Sequence, residues 1–173
     1  VTGVQTCALP IWIQTKRIEF VPEVFNVKDA LNSTLKLASE IAKNKSIVIE
    51  TDIDNVTQIY ADKNMFLTII RNLLSNAVKF SHLNSKVTLD AIAKTKFVEF
   101  SIQDNGVGID EEQLKVIFDI EHSGSTSGTL NEKGTGLGLL LCKEMVEIHK
   151  CKIWIESKKN IGSTFYFTMP IDN

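Results

Sequence analysis

Three cysteines are too few, and too widely spaced, to organise this chain. Cys7, Cys142 and Cys151 make no C-x-x-C pair and no spacing that would hold zinc. A disulfide scaffold and a zinc site are both excluded, and a reducing, cytoplasmic setting is the expectation. Positive charge is not in excess either: 19 Lys and Arg stand against 21 Asp and Glu, a formal net charge of −2. The basic field that nucleic-acid binding draws on is missing, so DNA and RNA are not expected partners. No run approaches the roughly eighteen apolar residues that a spanning helix requires. Any anchor of a parent protein in the inner membrane is therefore expected outside these residues. No internal repeat is visible. What the chain does have is 173 residues, 43% of them apolar and 23% charged, the composition of one globular domain with a sizeable core.

The first residues stand apart. Val1-Thr2-Gly3-Val4-Gln5-Thr6-Cys7-Ala8-Leu9-Pro10-Ile11 resembles a reading-frame translation of a common short-read sequencing adapter, with Trp12 at the junction. Residues 1–12 are set aside as one sets aside tags and fusion scars, and the authentic protein is expected to be truncated near Ile13. A signal peptide is the rival reading, but no positive residue precedes the short apolar run from Cys7 to Ile13.

Helical spacing runs from Asn26 to Lys45, where Ala30, Leu31, Thr34, Leu35, Ala38 and Ile41 recur at three and four residues. Ahead of it, Arg17 to Phe25 is mixed and extended, broken by Pro22. Ser46 to Asp52 and Val56 to Tyr60 are short β-branched runs flanking a turn, hence two strands. Asp62 is a candidate cap for a long helix that reaches Phe80 and leaves through Ser81 to Ser85. Lys86 to Ala93 and Lys96 to Gln103 predict an antiparallel hairpin. Glu111 to Phe118 predicts a short helix, Leu137 to His149 the last helix, and Lys152 to Ser157 and Ser163 to Met169 the closing strands. Asp119 to Lys133 is fifteen residues rich in Gly, Ser and Thr, the kind of loop that in a compact domain is functional or mobile. This order predicts an α/β fold with a helical layer on a mixed sheet.

The helix from Asp62 to Phe80 has two faces. At about 100° per residue, Phe66, Ile69, Leu73, Ala77 and Phe80 form an apolar stripe, and Asn72, Asn76 and Lys79 fall within roughly 60° of one another beside it. Asparagine competes with the helix backbone for hydrogen bonds, so two of them one turn apart invite a reason. An amide oxygen is a hard ligand suited to Mg2+, which takes few protein oxygens alongside water and phosphate; a lysine one turn on can neutralise phosphate. Taken alone, the strip reads equally well as surface asparagines beside a solvated lysine.

Asp104-Asn105-Gly106-Val107-Gly108 follows a strand. Glycines there let the backbone approach a ligand, and the carboxylate can accept from an exocyclic amine such as that of adenine. In isolation the motif is more simply a turn. Gly134-Thr135-Gly136-Leu137-Gly138 stands directly before a helix, where free N–H groups and the helix dipole favour phosphate. Its spacing is neither a P-loop nor the dinucleotide fingerprint, and a glycine-rich helix entry without a ligand stays open. Ile161-Gly162-Ser163-Thr164-Phe165 by itself is a turn and a strand.

Taken in order, these four elements and Ile117-Phe118 resemble the asparagine box, the three glycine boxes and the phenylalanine box of the histidine kinase ATP-binding domain, over nearly all of Ile13 to Pro170. The resemblance implies the two-layer α/β sandwich of the Bergerat fold: a mixed, mostly antiparallel sheet under three helices, with a flexible ATP lid. ATP and Mg2+ are the implied ligands. By that likeness Asn76 would coordinate Mg2+, Asn72 would sit beside it at the polyphosphate, and Lys79 would contact phosphate; these three form the expected catalytic set. Asp104 would bond the adenine amine, Gly106, Gly108, Ile109 and Phe118 would shape the pocket, and Thr164 would support the base through water. Lys133, Gly134, Thr135, Gly136, Leu137 and Gly138 would hold the phosphate side of the lid, itself Asp119 to Lys133. Residues 13–25 would be the exit from a dimerisation domain bearing the phospho-accepting histidine, and 26–173 the catalytic domain. The parent would be a homodimer that passes phosphate to a response regulator receiver domain.

Two departures bear on the reaction. Related ATPases place a water-activating glutamate one turn before the metal-binding asparagine, and that position is Asn72 here. Without that base the sequence favours transfer to histidine, which asks the ATP domain for positioning and charge neutralisation. The family's acceptor histidine is usually followed at once by an acidic residue, whereas His82, His122 and His149 are not. Each is expected to be a surface or capping residue, and the isolated chain is expected to bind nucleotide without phosphorylating itself. Two other readings stay open: a stand-alone anti-sigma-type serine kinase, against which Ile13 to Pro22 argues, and a non-catalytic nucleotide-sensing module.

Overall fold

The computed structural model describes residues 19–53, 56, 58–119, 128–130, 132 and 136–172. The adapter-like stretch, His122, Lys133, Gly134, Thr135 and most of the expected lid lie outside the described residues. Among the described residues, no helix is long and apolar enough to cross a membrane.

Strand β1 (Pro22–Asn26) leads into helix α1 (Val27–Ala42), started by the Asn26 side chain, which accepts from the Asp29 N–H at 3.0 Å. Asparagine is a preferred cap because its oxygen satisfies a first-turn N–H that has no helical partner. The predicted helix to Lys45 tightens instead into a 3-10 turn at Lys43–Lys45, and Ser46 takes a left-handed φ of 54°. Then come β2 (Val48–Asp52), β3 (Gln58–Asp62) and helix α2 (Lys63–Phe80). Asp62 ends β3 and caps α2: one carboxylate oxygen accepts from the Met65 N–H and the other from the Val21 N–H, each at 3.0 Å. The hairpin is β4 (Lys86–Ala93) and β5 (Phe97–Asp104), followed by short α3 (Glu111–Val116), α4 (Gly138–Ile148), β6 (Ile153–Lys158) and β7 (Gly162–Pro170).

Five strands form one sheet in the order β2-β4-β5-β7-β6, with only β2 and β4 parallel. Strands β1 and β3 form a separate antiparallel pair, Pro22 opposite Asp62. Pro22 therefore heads a strand in a two-stranded ribbon, a position proline tolerates, rather than breaking the chain.

Alternation sets the core. Val87, Leu89 and Ala91 on β4, Val98, Phe100 and Ile102 on β5, and Phe165, Phe167 and Met169 on β7 are buried, as a period of two requires when one sheet face is covered. Helix α2 lies over them through Phe66, Ile69, Ile70, Leu73 and Leu74, flanked by α1 and α4. The Phe66 ring stands 5.2 Å from Phe100 and 5.6 Å from Phe25, and Phe100 stacks on Phe167 at 5.0 Å. Truncating a buried Phe of this kind costs about 3–5 kcal/mol, so the helix that carries the asparagines is anchored by its opposite edge.

Candidate functional site

Asp104 is the last residue of β5 and continues the parity of Val98, Phe100 and Ile102. Its side chain thus lies on the helix side of the sheet, at the strand end, and the residue is only 4% exposed. Oδ1 accepts from the Gly106 N–H at 2.9 Å and the Ser163 N–H at 3.3 Å. Burial pushes its carboxyl up to about 6, against the lowering by those two N–H bonds and by His82.

Glycines make this corner close. A Cβ on Gly106 would run into the Phe80 carbonyl, and the Val107 N–H donates to that same oxygen at 3.2 Å. Ser81 and Gly106 also form a β-bridge, so the loop after β5 is sewn to the end of α2. Gly162 has φ 136° and abuts the Asp104 carbonyl, where no side chain fits. Gly108 lies against the Lys158 carbonyl, and the half-buried Ile109 donates its N–H to Ser157 Oγ at 2.9 Å.

Along α2, Asn72, Asn76 and Lys79 are all half-buried. The Asn72 amide nitrogen donates back to the Thr68 carbonyl at 3.0 Å, while its oxygen faces Gly138, where a Cβ would sit 2.9 Å away. The Asn76 side chain makes no hydrogen bond among the described residues. The Lys79 ammonium lies 4.7 Å from the centre of the Phe80 ring. Gly136 turns with φ 74° and Leu137, the N-cap of α4, supplies no side-chain cap, so the first-turn N–H groups of that helix are not satisfied by a capping side chain. Helix α2 is the common member: Asn72 meets the α4 entry and Phe80 meets the Asp104 loop.

Two expected residues are not brought in. Thr164 pairs with Gln103 and shares the outer face of the sheet with Tyr166. Strand parity is the reason: Phe165 points to the core, so the inward neighbour is Ser163, which is buried beside Asp104. Counting by two from Phe165 would have found it. Phe118 lies with Lys143 and Glu147 of α4 and with the start of β6, at the far strand ends from Asp104. A hollow of about 540 Å³ lined by Phe20, Tyr60, Phe97 and Trp154 is also at those far ends and touches none of the site residues.

The donor set bears on the metal. Among the described residues no group of three or more His, Cys, Asp and Glu could hold an ion. The half-buried amide oxygens of Asn72 and Asn76 fit a cation such as Mg2+ that keeps waters and takes phosphate oxygens, and not one that needs a protein cage.

A two-layer sandwich with a buried carboxylate, glycine turns and an amide-bearing helix at one end of its sheet defines a class of ATP-binding domain. The chain belongs to the histidine kinase-, DNA gyrase B-, and HSP90-like ATPase family, whose profile matches residues 61–173. It is 37% identical over 134 residues to the adaptive-response sensory kinase SasA of Rippkaea orientalis, covering 76% of this chain and 34% of that protein. It is also 37% identical over 129 residues to the phytochrome-like protein Cph1 of Synechocystis, covering 72% of this chain and 16% of that one. The chain thus spans about a third or less of these curated relatives. Among solved structures, the nucleotide-free catalytic domain of histidine kinase ThkA superposes with a TM-score of 0.75 at 29% identity, covering 90% of this chain and 97% of that one. Full-length ShkA in complex with AMPPNP shares the fold, with a TM-score of 0.78 at 24% identity over 93% of this chain and 33% of that one.

Proposed function

We propose that this chain is the ATP-binding catalytic domain of a two-component sensor histidine kinase, handing the γ-phosphate of ATP to a histidine on its parent's dimerisation domain for relay to a response regulator. The observation that carries the reading is the Asp104 carboxylate. It is buried at the sheet end and held through Oδ1 alone by two backbone N–H groups, so Oδ2 is left to accept an exocyclic amine. Gly106, Gly108 and Ile109 then wall the base, with Ser163 beside the carboxylate. Asn72, Lys79 and the entry to α4, from Lys133 to Gly138, are the groups for the polyphosphate. Asn76, with Asn72 beside it, would hold Mg2+, which when bound supplies charge screening to the phosphates.

Transfer is favoured over hydrolysis by Asn72, since a carboxamide cannot take a proton from water. Its nitrogen is moreover committed to the Thr68 carbonyl at 3.0 Å. Phosphoryl transfer asks little more of this domain than position and neutralised charge. A receiver-domain partner for the parent is supported by ThkA, whose solved complex contains the response regulator TrrA.

Calorimetry of the chain with a non-hydrolysable ATP analogue and Mg2+ tests the reading. Binding is expected, lost in Asp104→Asn and reduced only in its metal-dependent part in Asn76→Ala. Equal affinity with and without the Asp104 carboxylate overturns it.

A further inference from the structure

Lys45 belongs to no motif. It comes from the 3-10 turn after α1, and its side chain is only 4% exposed. A buried ammonium is costly unless fully paired, and this one is. Its Nζ donates to the Val78 carbonyl at 3.1 Å, the Lys79 carbonyl at 2.7 Å and Thr129 Oγ1 at 2.6 Å, and pairs with Glu132 Oε1 at 2.6 Å. The two carbonyls end α2 and have no partner within the helix; a cation there also complements the helix dipole. The other two partners, Thr129 and Glu132, lie beside Gly128, and Thr129 is stitched to the same helix end. The Thr129 N–H donates to the Lys79 carbonyl at 3.1 Å and its hydroxyl to the Ser81 carbonyl at 2.9 Å. Gly128 packs so tightly on the Lys79 stem that a Cβ would collide with it.

We infer that Lys45 is a positioning residue of the nucleotide site: its ammonium clamps Thr129 and Glu132, and with them Gly128, onto the end of α2, and these residues fix the Lys79 side chain that meets phosphate. Four groups share one cation, so removing it releases these residues and takes away the wall against which Lys79 rests. The base, held at Asp104 by different contacts, does not depend on this clamp. The inference rests on the proposed nucleotide reading and adds to it a determinant that separates phosphate binding from base binding.

The test compares two ligands by calorimetry, adenosine and AMPPNP with Mg2+, on the unsubstituted chain and on Lys45→Met, Thr129→Val, Thr129→Ser and Glu132→Gln. The quantity read is the ratio of the two affinities. Loss of a hydrogen-bonded charge of this kind lowers that ratio about tenfold in Lys45→Met, with adenosine affinity unchanged. Thr129→Val and Glu132→Gln lower it in the same direction, and Thr129→Ser, which keeps the hydroxyl, restores it. A general loss of structure would weaken both ligands together and leave no rescue by serine, and that pattern overturns the inference. An unchanged ratio in Thr129→Val and Glu132→Gln also overturns it, even should Lys45→Met fail to fold. If the unsubstituted chain binds neither ligand, the nucleotide reading itself falls.

Discussion

His149 Nε2 accepts a hydrogen bond from the backbone N–H of Asp62 at 2.9 Å, while its Nδ1 meets the Met145 carbonyl at 2.7 Å. A carbonyl can only accept and an N–H can only donate, so the ring must be the neutral tautomer with its proton on Nδ1. His149 stands at the C-cap of α4, the capping alternative that the sequence offered, and it does so buried, at 7% exposed. The ring joins the end of α4 to the residue that caps α2, and Phe20 covers its edge with centroids 5.0 Å apart.

His149→Ala therefore leaves the buried Asp62 N–H without an acceptor, at a cost of about 1–3 kcal/mol. Denaturant unfolding followed by circular dichroism should show that loss. Nucleotide affinity should be unchanged, since the bond lies at the strand ends opposite Asp104. A variant as stable as the parent would mean that water replaces the ring.

Asp104 sets stability against function. Its carboxyl is raised from 3.8 to about 6 by burial, so between those values the folded chain keeps a proton that the unfolded chain has released. Stability falls as pH rises through that window, and above about pH 6 the full penalty is present, at most about 3 kcal/mol. Asp104→Asn removes the charge and keeps an oxygen for the Gly106 and Ser163 N–H groups. At pH 8 it should melt several degrees higher than the parent, and the gain should vanish by pH 4. A gain that persists at pH 4 would point to a cause other than the buried charge.

The fold was largely legible because its signals were local and periodic. Phe66, Ile69, Leu73 and Ala77 repeat at helical spacing and are buried, and the hairpin of β4 and β5 is written in alternation. Asn72, Asp104 and Gly138 lie far apart in sequence, but each sits in a recognisable string. What could not be read was pairing across space. Nothing near Pro22 announces that β1 pairs with β3, and nothing near Lys45 says that its stem turns inward to meet Thr129. Thr164 and Ser163 were separable by strand parity alone. Phe118 is different: its string matched the expected box, yet α3 carries it toward β6.

Adenosine binding should report the same carboxyl from the other direction. An exocyclic amine donates to the ionised form, so affinity rises as pH climbs through about 6, the value to which burial pushes Asp104. From pH 5 to pH 7 the gain is about tenfold for a single required deprotonation. Adenosine is the right probe because it carries no titrating phosphate. A flat profile across that range would mean that the base is read by some group other than Asp104.

Phosphate on the isolated chain is the sharpest test of the proposed separation between catalytic and acceptor domains. A phospho-accepting histidine must present a free ring nitrogen to the γ-phosphate. His149 has both nitrogens engaged in the interior. His82 is exposed in the loop just after α2, where its backbone N–H donates to the Asn105 carbonyl at 3.4 Å, and it cannot swing to the phosphates without dismantling the Ser81 to Gly106 bridge. Incubated with ATP and Mg2+, the chain should therefore acquire no acid-labile, base-stable phosphate on His82 or His149, while a separately supplied dimerisation domain of the parent should acquire it. Label on the chain alone that disappears in His82→Gln would place the acceptor in this domain and overturn the division of labour proposed for it.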